Sequence, residues 1–202
     1  MKALLLKDWY LLRKRWGILF GIVLLFSVLA GAQATMLYTL MSTMMLLMIS
    51  LNTLAYDQHD GWDAYVCALP VSRAQLVLSK YLLAFLCIMI SVVLVLISTL
   101  VLGDRSAESL IGNASVQISF GFIFVACNFP LILKFGFEKS RVYYLVVAGV
   151  LIGLTSLVSQ SELASPTFPA LPFLVPLFAL LVVLGSLRLS IFLVKNKEFS
   201  ET

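Results

Sequence analysis

The sequence predicts an all-α membrane protein with six membrane-spanning helices in a single domain of residues 1–202. Hydrophobic residues make up 61% of the chain and charged residues 12%, against roughly 25% charged residues in an ordinary soluble protein. The apolar residues form long continuous runs, and residues 17–56 contain no charged side chain and no histidine. These observations exclude a soluble globular fold and favour spans, each of which needs roughly 20 apolar residues.

The first uncharged run, residues 17–56, predicts two spans. As one straight helix it would be about 60 Å long, twice the roughly 30 Å thickness of the hydrocarbon core. Four further uncharged runs each reach the length of one span. The predicted spans are therefore residues 17–34, 36–56, 81–102, 113–133, 142–159 and 172–194.

The distribution of Lys and Arg predicts the orientation of these spans. Of the 14 basic residues, 13 are assigned to one side: they lie in the N-terminal segment, in the connections after the second and fourth spans, and at the C-terminal end, where Arg188 is close enough to the inner face to snorkel. Only Arg105 lies on the opposite side. Because cytoplasmic connections are enriched in Lys and Arg, both termini are predicted to be cytoplasmic. This topology also accounts for the net charge of +4 without nucleic-acid binding. A cleaved secretory signal is disfavoured because the first apolar run leads directly into a second span.

Residues 1–16 are predicted to form an amphipathic helix on the inner membrane surface. Its apolar face has the spacing i, i+4, i+7, i+11 and consists of Leu5, Trp9, Leu12 and Trp16. Lys7 and Lys14 lie opposite, where their ammonium groups can reach lipid headgroups. The alternative is a basic anchor that only sets the topology.

The connection between the second and third spans, residues 57–80, contains a cluster of three carboxylates. On a helix, Asp57, Asp60 and Asp63 would fall within about a third of the circumference, with His59 close by. One interpretation is a divalent-metal site, since carboxylates and imidazole are common ligands. Another is a short helix whose acidic residues stabilise its positively polarised N-terminus.

The same connection has two aromatic residues that favour a third interpretation. Trp62 lies between Asp60 and Asp63, and Tyr65 lies two residues after Asp63. Aromatic side chains dominate the energetics of protein interfaces, and an exposed Trp in a connection is a large apolar surface that a partner can bury. The third interpretation is therefore a docking helix that inserts its aromatic residues into a partner.

This connection resembles a signature of type-2 permeases of ATP-binding-cassette transporters, in particular the small six-span subunits of bacterial peptide and bacteriocin exporters. The residues that carry the resemblance are Tyr56, Asp57, Gly61, Trp62, Asp63, Tyr65, Leu69, Pro70, Val71, Ser72, Arg73, Val77, Ser79, Lys80 and Tyr81. The first residues are similar to the N-terminal interfacial helix of these permeases, through Met1, Lys2, Leu5, Leu6, Lys7 and Asp8. The connection after the fourth span is similar as well, through Pro130, Leu131, Lys134, Phe135, Gly136, Glu138, Lys139 and Arg141.

The resemblance implies a permease in the bacterial cytoplasmic membrane that pairs with a second copy of itself or a related permease. It also implies that the connection after the second span forms a coupling helix seated on a separate ATPase subunit, which binds ATP and Mg²⁺, while this chain binds no cofactor. The residues expected to contact the ATPase are Asp57, Asp60, Trp62, Asp63 and Tyr65. Pro70 would end the helix, and Arg73 and Lys80 would lie at the level of the headgroups.

Two Gly-x-x-x-Gly pairs permit close helix approach, either in such a dimer or within one subunit. They are Gly17 with Gly21 and Gly149 with Gly153.

Scattered polar residues within otherwise uncharged spans indicate an apolar translocation surface, which favours amphipathic peptides or lipid-like molecules over ions and sugars. The candidates for that surface are Asn52, Asn113, Gln117, Ser119 and Asn128. Each of them can instead hydrogen-bond to a neighbouring helix, as Ser and Asn commonly do in spans.

Several functions are disfavoured by what the sequence does not contain. No ionisable residue lies deep in a predicted span, which argues against proton relays and voltage sensors. No phosphate-binding loop of the form G-x-x-x-x-G-K-[ST] occurs, so ATP hydrolysis is expected in a partner. Two alternatives to a permease stay open: a metal-dependent lipid-modifying membrane enzyme that uses the acidic cluster, and a membrane anchor without transport.

Overall fold

The computed structural model describes residues 7, 10, 16–33, 36–59, 73–103, 106–160 and 171–196. Within these residues the regular structure is entirely helical, as predicted. The six helices are α1 Trp16–Gln33, α2 Met36–His59, α3 Arg73–Leu102, α4 Ala107–Phe135, α5 Phe137–Gln160 and α6 Leu171–Asn196.

Four of these helices contain stretches that are long and apolar enough to cross a membrane. They are Met36–Asp57 in α2, Ala74–Leu102 in α3, Leu110–Phe135 in α4 and Leu174–Val194 in α6. The apolar stretches of the other two helices are shorter, Phe20–Ala32 in α1 and Val142–Thr155 in α5. The described part of the chain therefore has four candidate spans and two shorter apolar helices.

Helix α3 is longer than the span predicted for this part of the chain. It begins at Arg73, so residues 73–80, which the sequence analysis places in the cytoplasmic connection, are helical. A charged residue such as Lys80 ends an uncharged run but does not end a helix, because helical hydrogen bonds form within the backbone. The segment between α2 and α3 is thus shortened to residues 60–72.

Helix α4 lies at the centre of the bundle. It contacts α2, α3, α5 and α6, and its most extensive contact is with α6. Two-thirds of its apolar stretch (67%) is buried, compared with 22% for α6. Three Phe side chains of α4 are fully buried, Phe120, Phe124 and Phe129. The edge of one ring meets Tyr144 of α5 with 5.5 Å between the Phe124 and Tyr144 ring centroids, so α5 folds back along α4.

Helices α1 and α3 approach so closely that a glycine is required between them. A Cβ atom at Gly31 would lie 2.5 Å from the Ser98 carbonyl oxygen, and one at Gly103 would lie 2.8 Å from the Gly31 oxygen. Both distances are shorter than any ordinary carbon–oxygen contact. The two helix ends can therefore pack backbone to backbone only because both side chains are absent.

A single residue, Gly136, separates α4 from α5. Its φ of 80° lies in the left-handed region that favours glycine. The Gly136 amide donates to the Ile132 carbonyl over 2.9 Å and ends α4. On the α5 side, the Ser140 hydroxyl donates to the Leu131 carbonyl over 3.1 Å, which joins the two helices across the turn.

Helices α5 and α6 expose apolar side chains to the surroundings. On α6, Leu177, Phe178 and Leu181 are each more than half exposed. The Gly-x-x-x-Gly pairs also face outward: no described atom outside the local helix lies within 4 Å of a Cβ built at Gly17, Gly21, Gly149 or Gly153. Of the two alternatives for these pairs, packing within one subunit has no support among the described residues.

Candidate functional site

Among the described residues, the most distinctive polar feature is an ion cluster formed by Lys7, Asp57 and Lys80. The Lys80 ammonium lies 2.7 Å from Asp57 Oδ2, and the Lys7 ammonium donates to the other carboxylate oxygen, Oδ1. Asp57 and Lys80 are each 3% exposed, and the Lys7 side chain is 23% exposed. One carboxylate thus links two cations from separate parts of the chain.

The local sequence explains why these charges occur where they do. Asp57 is the first charged residue after the long uncharged run of residues 17–56, near the end of α2. Lys80 is the last charged residue before the uncharged part of α3, which starts at Tyr81. Both therefore lie where an apolar helix surface begins. A charge buried there is tolerated only when it is paired and hydrogen-bonded.

The structure places the predicted ATPase-contact residues in two groups. Asp57 is buried in the ion cluster, so almost none of its surface is accessible to a partner protein. Asp60, Trp62, Asp63 and Tyr65 lie outside the described residues, in the segment that follows α2.

The lysines of the cluster differ from the expectations for them. Lys80, expected at the level of the lipid headgroups, is buried and reaches Asp57 instead. Lys7, expected to reach the headgroups, also pairs with that carboxylate.

The predicted N-terminal helix is described at few positions. The backbone is helical at Lys7 and Tyr10, and Tyr10 is 62% exposed. Three members of the predicted apolar face, Leu5, Trp9 and Leu12, lie outside the described residues. The fourth, Trp16, is the first residue of α1.

The metal-site interpretation of the acidic cluster gains no support from the described residues. Among them, no three His, Cys, Asp or Glu side chains come close enough to hold an ion. Asp60 and Asp63, which that interpretation needs, lie outside the described ranges.

Gln117 forms a buried polar cluster with hydroxyl groups of two neighbouring helices. Its Nε2 donates to Thr43 Oγ1 of α2 over 2.9 Å and to Ser91 Oγ of α3 over 2.8 Å. Thr43 in turn donates to the Thr39 carbonyl over 3.0 Å. All three side chains are at most 1% exposed, and Gln117 Oε1 has no partner among the described residues. The cluster therefore holds α2, α3 and α4 together within the apolar core.

The other predicted translocation-surface residues do not converge on one polar surface. Ser119 and Asn128 are buried and donate within α4, to the Ser115 and Phe124 carbonyls. Asn52 and Asn113 are only half-buried, on α2 and near the start of α4. Gln117 is thus the member of the set that bonds between helices.

A second interhelical polar cluster was not anticipated from the sequence. The Tyr81 hydroxyl of α3 lies 2.8 Å from Ser186 Oγ and 2.9 Å from Ser190 Oγ, both on α6. Ser186 also donates to the Ala126 carbonyl of α4 over 2.7 Å. The signal available in the sequence was the i, i+4 spacing of the two serines, which places both hydroxyls on one helix face.

An apolar groove of about 290 Å³ lies beside this cluster, between α3, α4 and α6. Its lining includes no charged side chain, and Tyr81 is its one hydroxyl-bearing residue. The residues that line it are Leu78, Tyr81, Leu82, Ala84, Phe85, Ile88, Phe122, Val125, Val183 and Leu187.

Comparison with known protein families identifies the chain. Residues 3–195 match the family described as ABC-2 family transporter protein. Searches of curated proteins and of solved structures find no significant match. Members of this family are the membrane permeases of ATP-binding-cassette transporters, do no catalysis themselves and work with an ATPase partner. Since the match covers nearly the whole length and four helices are apolar enough to span a membrane, this integral membrane protein belongs to the ABC-2 transporter family.

Proposed function

We propose that this chain is the permease subunit of an ATP-driven exporter that moves amphipathic or antimicrobial peptides out of the cell or its membrane. The observation that carries the proposal is the family match over residues 3–195. In the proposed mechanism, nucleotide binding closes two ATPase subunits. Their motion passes through the segment between α2 and α3 and rearranges the helices.

The proposed topology has six spans with both termini in the cytoplasm. Helices α1 and α5 supply the two spans that their apolar stretches alone do not define. With 18 and 24 residues they are about 27 and 36 Å long, close to the roughly 30 Å hydrocarbon core. The separation of 13 basic residues from Arg105 supports this orientation.

The proposed ATPase contact lies in the segment that joins α2 to α3. Asp60, Trp62, Asp63 and Tyr65 are the contact residues, with the aromatic rings as anchors and the carboxylates as charged partners. Asp57 contributes differently, since its buried carboxylate holds the base of this segment.

The proposed substrate class rests on the character of the helix bundle. The charged residues buried in the described chain, Asp57 and Lys80, neutralise each other near helix ends and leave the core uncharged. The Gln117 amide nitrogen and the Thr43 and Ser91 hydroxyls are hydrogen-bonded to one another within the core. An apolar bundle of this kind suits molecules with a large apolar surface better than ions or sugars.

A dimer is part of the proposal. Gly149 and Gly153 lie on the outward face of α5 with no described neighbour within 4 Å, as do Gly17 and Gly21 on α1. Small residues on an outward face allow a second helix to approach closely in a membrane.

The test is purification of the tagged full-length chain from native membranes in mild detergent, followed by mass spectrometry of the co-eluting proteins. A stoichiometric ATP-binding-cassette ATPase is the expected result. A folded chain without an ATPase would contradict the proposal and direct attention to an anchor or, if chelation abolishes a lipid-modifying activity, to the enzyme alternative.

A reversal of two charges tests whether Asp60 and Asp63 contact the ATPase. Asp60→Lys with Asp63→Lys is expected to lower the amount of co-purified ATPase, because it reverses charges proposed to face that subunit. The matched control is Asp104→Lys with Glu108→Lys, the same change of charge on the predicted outer side. Equal ATPase recovery and equal export from both variants would refute the docking role.

A further inference from the structure

The ion cluster joins three segments that are far apart in the sequence. Lys7 belongs to the N-terminal segment, Asp57 lies two residues before the end of α2, and Lys80 lies in the third turn of α3. The paired residues are 50 and 23 positions apart. The cluster therefore fixes contacts that chain connectivity does not impose.

Asp57 is the shared member of the two ion pairs. Its two carboxylate oxygens are divided between the lysines, Oδ1 to Lys7 and Oδ2 to Lys80. Removing either lysine leaves one neutral pair, whereas removing the carboxylate leaves two ammonium groups facing each other. Because Lys80 is almost fully buried, its charge has little access to water when that partner is lost.

The position of the cluster allows it to transmit a displacement of the neighbouring segment, residues 60–72, to the helices. The Asp57–Lys80 pair bridges α2 and α3 close to where residues 60–72 leave one helix and enter the other. A displacement of that segment is therefore delivered to both helices together. The Lys7–Asp57 pair ties the N-terminal segment to the same point.

We propose that Asp57 is a positioning residue that couples the segment between α2 and α3 to both helices and to the N-terminal segment, so that they move as one unit. This proposal rests on the proposed function, because it assigns the origin of the motion to an ATPase seated on that segment. Asp57 acts through the two lysines and does not contact the ATPase.

The tie itself is tested by distance measurement in the full-length chain. Spin labels are placed at Tyr10→Cys, three positions after Lys7 in the sequence, and at Ala74→Cys in the first turn of α3. Both positions are exposed. The native cysteines, Cys67, Cys87 and Cys127, are changed to Ala. Electron–electron double resonance in lipid nanodiscs is expected to give a single narrow distance peak.

The variants separate this tie from general stability. Asp57→Asn and Lys7→Met are expected to abolish the narrow peak, and the conservative Asp57→Glu is expected to keep it. Lys134→Met, at an exposed position near the end of α4, removes the same charge outside the cluster and should leave the peak unchanged. Lys7→Met retains the buried Asp57–Lys80 pair, so it tests the tie even if Asp57→Asn does not fold. A narrow peak in both Asp57→Asn and Lys7→Met would overturn the proposal.

The coupling role is tested on the complex with its ATPase. Asp57→Asn should retain the ATPase in stoichiometric amount but lose the effect of the permease on the rate of ATP hydrolysis, and Asp57→Glu should restore it. Normal hydrolysis and export in Asp57→Asn would overturn the coupling role. If the unmodified chain binds no ATPase, the proposed function and the coupling role fail together, and the distance measurement still decides whether the tie exists.

Discussion

Substitutions at Asp57 should follow the balance of one carboxylate against two ammonium groups. Asp57→Asn leaves the Lys80 ammonium buried beside that of Lys7, and breaking a buried pair in this way typically costs about 3–5 kcal/mol. We expect a marked loss of stability, measured by thermal unfolding in detergent. Adding Lys80→Met removes the unpaired Lys80 ammonium of the Asp57→Asn variant, so the double variant should be more stable than Asp57→Asn alone. A double variant that loses the sum of both single effects would contradict this account.

Gln117 should be far less sensitive than Asp57. Gln117→Leu removes two hydrogen bonds, but the Thr43 and Ser91 hydroxyls lie 3.2 Å apart and can still bond to each other. Hydrogen bonds between helices in membranes average only about 0.6 kcal/mol. The same unfolding measurement should therefore show a loss of no more than about 2 kcal/mol. A loss as large as that of Asp57→Asn would mean that this cluster, too, is critical for the fold.

The residues of the ion cluster were visible in the sequence, but their pairing was not. Asp57 and Lys80 each border a long uncharged run, which predicts a position near the membrane surface, whereas Lys7 lies among the charged residues of the N-terminal segment. Nothing in that pattern selects Lys7 and Lys80 as the partners of Asp57 among 14 basic residues, because the contacts depend on how α2, α3 and the N-terminal segment pack. Long-range pairing is a tertiary property that local patterns do not contain.

At the scale of elements, two glycines on different helices should respond in opposite ways to the same substitution. Gly31→Ala places a methyl group 2.5 Å from the Ser98 carbonyl, so α1 and α3 must separate, at a typical cost of about 1–3 kcal/mol. Gly185→Ala, on α6, meets no described atom within 4 Å and adds a better helix former. We expect a lower melting temperature for the first variant only. Equal effects would show that the α1–α3 contact is looser than described.

The sequence predicted that these helices exist, but it did not predict their lengths. The uncharged runs predicted six helical spans, and six helices occur among the described residues. Three of them start well before the predicted spans: α3 at Arg73, α4 at Ala107 and α5 at Phe137. Hydropathy detects only where a run of apolar residues begins and ends. A helix continues for as long as its backbone hydrogen bonds form, so hydropathy does not detect the polar helical turns that lie outside a span.

For the molecule as a whole, the proposed topology predicts which cysteines a membrane-impermeant maleimide can reach. Ser106→Cys lies at an exposed position between α3 and α4, on the proposed outer side, and should be labelled in intact cells. The native Cys67 lies in the segment between α2 and α3, on the proposed inner side, and should be labelled only after lysis. The reverse pattern would invert the orientation and remove the basis for ATPase docking there.

The one-residue turn at Gly136 also makes the packing of α5 on α4 sensitive to insertions. A single residue spans at most about 3.6 Å, so the chain itself holds the end of α4 next to the start of α5. The Ser140 hydroxyl closes the same corner by donating to the Leu131 carbonyl. Residues inserted after Phe135 would remove both constraints, so that α5 would be held on α4 by side-chain packing alone.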